Sequence, residues 1–186
     1  IRAKDLLPVL ERLAPAAHPP DANPPEAARS YSSVHDGNAI GTGHARSMLD
    51  SGQAWSAQHN NHDQWMVIDA GQTGQLRGII VQGRGHSAQG QKVTRVGIAL
   101  ADSADGPWTE CGDYDCRTDN EHEKRRVMLH SPTSGRYVRL SPRTWEQHIS
   151  MRVGLIESAT TPMASLACSK EPAALKLLEV LLATAP

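Results

Sequence analysis

Apolar and polar positions alternate over short runs through the middle of the chain. The stretches QWMVIDAG, LRGIIVQG, KVTRVGIAL, RRVMLH, GRYVRLSP and ISMRVGLI are short strand-like runs with Gly, Asn, Asp and Ser between them, and KVTRVGIAL is β-branched with near-alternation. This spacing predicts an all-β domain, an antiparallel β-sandwich of about eight strands, over residues 30–158. The two ends read differently. Residues 1–14 predict a short amphipathic helix capped by Asp5, with Pro8 in the first turn and Leu6, Leu10 and Leu13 on one face. A Pro/Ala linker completes residues 1–29 and should run extended. Beyond the sandwich, residues 159–186 hold a linker and a second helix, SKEPAALKLLEVLLATA. Ser169 can cap it, and Ala174, Leu175, Leu178, Leu181 and Leu182 line one face. The apolar faces of both helices need cover, from each other, from the sandwich or from a protein partner.

Charge narrows the partners. The 186 residues sum to a formal charge of −1, so no basic patch points to nucleic acid or acidic lipid. No apolar run approaches the roughly 20 residues of a membrane-spanning helix. The stretch QGRGHSAQGQKVTRVGIAL imitates a phosphate loop, but Gln91 stands where a P-loop needs Lys, and a strand follows instead of a helix. The chain opens on Ile1 inside a helical pattern, which reads as a mature or trimmed piece. Phe is absent, so the four Trp carry much of the large-ring packing. Cys111 and Cys116 are close enough in sequence for a local disulfide, which would leave Cys168 over; the odd count suits a reducing compartment or a pairing outside this chain.

The order of motifs is itself informative. YSSVHDGNAIGTGHARSMLDSGQAWSA, QWMVIDAG, IIVQGRG, KVTRVGIALADSADGPWTE and GRYVRLSPRTWEQHISMRVGLI follow one another. As an ordered set they resemble the discoidin, or coagulation factor 5/8 type C, family over about Ser30 to Ser158. The resemblance implies a jelly-roll-like sandwich whose loops at one end bind glycans, phospholipid head groups, collagen or other proteins, without catalysis. The family commonly staples its ends with a disulfide, and no Cys stands near Ser30 or just after Ile156 here. The family setting is extracellular; the missing staple instead suits an intracellular or assembly-bound domain.

On that resemblance Arg84, in the Gln82-Gly83-Arg84 turn, faces the ligand trench, where a planar guanidinium can take two sugar hydroxyls or one carboxylate. Alternatively it braces the loop against an internal acid. Asp50, in MLDSGQAW, would accept sugar hydroxyls or pair with Arg84, or simply cap its own turn. His86 and His148 would reach the rim. Asp50 and Glu157 together would offer oxygen ligands to Ca2+. His59 and His62 have a spacing seen in metal sites, with no third ligand evident nearby. Trp55, Trp65 and Trp108 match core or strand-end positions, and Trp145 lies nearer the loop end. The first loop offers only Met48 and Leu49 as large apolar residues and the second none, which disfavours membrane insertion.

No nucleophile elbow or catalytic carboxylate pair is present, and the charged runs GDYDCRTDNE and EHEKRR read as a solvated loop face. Two functions compete. One is a lectin-like module binding a glycan or glycoprotein through Arg84, Asp50 and their neighbours. The other is a structural docking module in a larger assembly, fastened by the terminal helices.

Overall fold

Buried apolar positions along the chain keep a period of two, then switch parity at a few points, and each switch marks a bulge. The computed structural model describes residues 21–85 and 90–158. Both terminal helices, Cys168 and His86 lie outside the described residues. In chain order the strands are β1 (Asp21–Ala22), β2 (Arg29–Tyr31), β3 (Trp55–Ser56), β4 (Met66–Gln82), β5 (Lys92–Ala101), β6 (Thr109–Asp115), β7 (Arg125–Glu146) and β8 (Ser150–Glu157).

Two long strands build the sandwich. The first half of β4 pairs with β2 and with the second half of β7. The second half of β4 pairs with β8 and with the first half of β7. Each long strand thus passes from one layer to the other. The layers continue outward through β5 and β6 on one side and β1 and β3 on the other, and all the pairings are antiparallel. The passage needs local bends. In β4 the core side chains are Met66, Ile68 and Leu76, then Ile79 and Val81, and the change of parity coincides with a register shift between Leu76 and Gly78. In β5 the step from Val93 to Val96 coincides with the shifts around Arg95.

The expected strand count holds, but not run for run. QWMVIDAG and LRGIIVQG are one strand, β4, and RRVMLH and GRYVRLSP are one strand, β7. Hydrogen-bonded pairing resumes at Gly74, Ser134 and Gly135 after a register shift, so the apparent breaks do not end the strands. The short strands β1, β2 and β3 and the polar β6 make up the number.

Inside, Trp55, Met66, Ile68, Ile98, Leu140, Ile149 and Met151 are fully buried, each contributing roughly 1.5–3 kcal/mol by leaving water. Trp55 stacks on Tyr31 at 5.6 Å and donates from Nε1 to the Ser33 carbonyl. Trp65 and Trp108 are half-buried at strand ends, with Arg139 lying 4.7 Å over the Trp108 ring. Cys111 and Cys116 are free. A local bridge, which the sequence left open, does not form, because five residues of extended chain span roughly 16 Å, far beyond the reach of a disulfide.

β8 explains how the loops are carried. Met151, Val153 and Leu155 face the core, while Ser150, Arg152 and Gly154 face outward and are buried all the same. The loop before β3 covers them: a Cβ at Gly154 would stand 2.5 Å from Leu49 Cδ1.

Candidate functional site

Two buried arginines hold the loops in place. Arg29, 2 % exposed, donates to the carbonyls of Pro24, Ser47 and Val153. Arg152, 4 % exposed, donates to the carbonyls of Gly83 (2.9 Å), Ser51 (2.7 Å) and Glu121. One guanidinium therefore ties together the three loops before β3, after β4 and after β6. Burial lowers the pKa of both arginines from the ordinary guanidinium value.

On this frame the β4–β5 loop presents Arg84. Its backbone N–H donates to the Gln91 carbonyl at 3.1 Å. Its guanidinium donates from Nε to Gln53 Oε1 (3.1 Å) and from Nη1 to Gln91 Oε1 (2.8 Å). Gln91, the residue that spoils the P-loop match, is the residue that orients the arginine. Among the described residues no carboxylate pairs with Arg84, so neutral amides aim the charge without cancelling it.

Arg84 and Gln91 form one wall of a hollow of about 200 Å³ whose other walls are His35, His44, Ser56 and His148. The His35 ring lies 4.9 Å from that of His44 and 5.7 Å from that of His148. His148 is held on both nitrogens. The Ile149 N–H donates to Asn60 Oδ1, which turns the Asn60 Nδ2 toward His148 Nδ1 at 3.0 Å. His148 Nε2 then donates to the Ala57 carbonyl at 2.8 Å. His148 lines the hollow with both ring nitrogens already engaged.

Asp50 sits in an adjoining hollow of about 290 Å³ with Ser51, Gly52, Gln82, Gly85, His122 and Arg152. It adopts a left-handed conformation, φ 62°, which Asp tolerates. Its Oδ2 accepts from Lys124 at 2.6 Å, and its backbone N–H donates to Gln82 Oε1. The Lys124 contact holds the Asp50 carboxyl below the usual 3.8. Asp50 and Arg84 flank the same loop but do not pair.

One expectation needs correction. Asp50 is tied to Gln82, which is opposite Arg152, whereas Glu157 is opposite Leu76. The five residues from Arg152 to Glu157 put the two acids roughly 16 Å apart along β8, so they do not share a calcium ion. His59 and His62 gather no third ligand among the described residues; His62 leans on Trp145 instead, 5.3 Å between rings. His35 and His44, absent from the sequence-based candidates, are two of the walls. Met48 and Leu49 are half-buried.

A model of the F5/8 type C domain matches residues 27–155. The chain belongs to the F5/8 type C domain family. Among curated relatives, lactadherin of Bos taurus is 33 % identical over 112 residues, which are 55 % of this chain and 26 % of lactadherin. This F5/8 type C chain thus matches about a quarter of the length of that relative. Among solved structures, discoidin II of Dictyostelium discoideum is similar at 19 % identity, covering 68 % of this chain and 52 % of that one, with a TM-score of 0.52. The family 32 CBM from Clostridium perfringens NanJ in complex with galactose is similar at 14 % identity, covering 73 % and 98 %, with a TM-score of 0.54. At these identities the two structures show the shared fold. F5/8 type C domains are in general binding modules rather than catalysts.

Proposed function

We propose that this domain is a non-catalytic, lectin-like module that binds a sugar at the loop end, with Arg84 as the principal donor. The observation that supports it most directly is the hollow beside Arg84. It is bounded by six polar side chains, and at about 200 Å³ it is smaller than the roughly 300–1,000 Å³ of drug-sized pockets, a size that suits one sugar ring. The guanidinium is anchored by Gln53 and Gln91, so its ordering cost is met before the ligand arrives. Sugar hydroxyls accept from Arg84 and exchange hydrogen bonds with Gln91 and Ser56, while the rings of His35 and His148 offer flat apolar cover. Asp50, in the adjoining hollow, accepts hydroxyls from a second ring or a substituent. Structures of the same fold in complex with galactose and with GalNAc make galactose and N-acetylgalactosamine the first probes.

The test is calorimetric titration of the full chain with these two sugars, alongside a glycan array. Saturable binding that Arg84→Ala abolishes is the expected result. An array with no saturable signal, together with helix-dependent capture of a single protein, would replace the lectin by the docking module.

A further inference from the structure

We infer that His35, Asp36 and His44 form a binding site for a divalent transition-metal ion of the zinc type, at the rim of the loop end. One ligand atom from each of the three residues lies within 4.8 Å of the others. His35 Nδ1 stands 3.2 Å from Asp36 Oδ1, and His44 Nε2 stands 3.9 Å from Asp36 Oδ2. Adjacent ligand atoms of a tetrahedral zinc ion with bonds of about 2.0–2.1 Å are about 3.3 Å apart, so small side-chain rotations close the set.

Hydrogen bonding alone leaves the cluster unsatisfied. His35 Nδ1, one of the three ligand atoms, is buried and has no hydrogen-bond partner, although the Asp36 carboxylate is within reach. A neutral imidazole lone pair facing a carboxylate oxygen is repulsive unless a proton or a cation lies between them. A metal ion supplies the positive charge and satisfies the lone pairs at once. Two imidazoles and a carboxylate are a donor set for zinc-type ions rather than for calcium, which takes oxygen. Three protein ligands leave a fourth position for water or another small donor. Asp36 takes the left-handed conformation, φ 59°, beside Gly37 at φ 60°, and this turn brings its carboxylate back between the rings.

The site shares His35 and His44 with the walls of the hollow, so its test uses no sugar. The full chain, without a histidine tag and stripped with chelator, is titrated calorimetrically with zinc, and bound Co2+ is followed by its visible absorption. One equivalent should bind saturably. Asp36→Asn and His44→Ala should each weaken it by about tenfold or more, at least the loss seen when an outer-shell partner is removed. Thermal melts of the metal-free variants check that they fold. The paired change His59→Ala with His62→Ala should leave the affinity unchanged. Absence of saturable binding, or binding that follows His59 and His62 instead of Asp36 and His44, overturns the assignment.

Discussion

Arg152 donates from Nε to the carbonyl oxygen of Gly83 at 2.9 Å, so a buried side chain of β8 fixes the residue immediately before Arg84. Arg152 is therefore an internal brace of this loop. Arg152→Ala leaves the carbonyls of Gly83, Ser51 and Glu121 without their donor. Each orphaned buried acceptor costs about 1–3 kcal/mol, less whatever water recovers. The expected loss is about 2–4 kcal/mol in urea unfolding, with sugar affinity falling as well because the loop is released. A variant as stable as the parent would show that the three carbonyls are satisfied in another way.

Gly78 and Gly74 lie on the same strand and should respond in opposite ways to Ala. A Cβ at Gly78 would collide with the Val127 carbonyl oxygen, a backbone atom fixed in the ladder, whereas a Cβ at Gly74 meets nothing within 4 Å. Gly78→Ala should cost about 1–3 kcal/mol, the usual range for overpacking. Gly74→Ala should stay within about 0.5 kcal/mol of the parent. Parallel denaturant melts compare them, and equal effects would mean that the β4–β7 register differs from the one described.

The sandwich is legible in the sequence because its signal is a repeated local one: alternation in β5 and β8 survives even where a bulge shifts the parity. What alternation cannot show is continuity, and β4 and β7 look broken although their ladder resumes at Gly74, Ser134 and Gly135 after a register shift. Arg84 stands out because the Q-G-R turn sits between two clear strands. Its partner Gln91 shows in the sequence only as a defect in a phosphate motif. His35, Asp36 and His44 give no signal, since a turn-rich loop separates the two histidines and only the fold brings them together. Arg152 is hidden for a different reason. An arginine at an alternate strand position reads as solvent-facing, and its burial depends on a loop packed over the outer face of β8.

Acid should act on Asp69 through its fork with Arg136, Oδ1 to Nε and Oδ2 to Nη2, both 2.8 Å. The Arg136 contact holds the Asp69 carboxyl below its ordinary 3.8. The unfolded chain therefore binds the proton more readily than the folded one, and stability falls as pH drops through 3.8 toward the folded value. Above that range the contribution is complete. Asp69→Asn should flatten this part of the stability-against-pH curve while leaving its shape near neutrality unchanged. An unaltered acid limb would mean that other carboxyls carry it.

Cys116 should resist thiol reagents in the folded protein. Its side chain is fully buried against Val93, and burial pushes the thiol up to about 12, so almost no thiolate is present near neutral pH. Iodoacetamide labelling followed by peptide mass spectrometry reads each cysteine separately. Cys116 should label only in denaturant. Native labelling at the denatured rate would show that the end of β6 opens readily.

The decisive variant remains Arg84→Ala. In the folded domain Arg84 makes its side-chain bonds to two neutral amides, Gln53 and Gln91. Both belong to half-buried residues at the loop end, where water can replace the lost donor. Stability should change by no more than about 1 kcal/mol, since the loss is that of ordinary hydrogen bonds in partial contact with solvent. Binding should respond more strongly. A sugar oxygen left facing the truncated side chain loses a charged donor inside the hollow, at about 1.5–3 kcal/mol, or roughly 10- to 150-fold in Kd. Arg84→Lys keeps the charge but not the planar fork, and it should recover only part of the affinity. Melting temperature and sugar affinity measured on the parent and both variants separate the outcomes. An early-melting Ala variant that still binds normally makes Arg84 a brace, and a well-folded one with unchanged affinity removes it from the site.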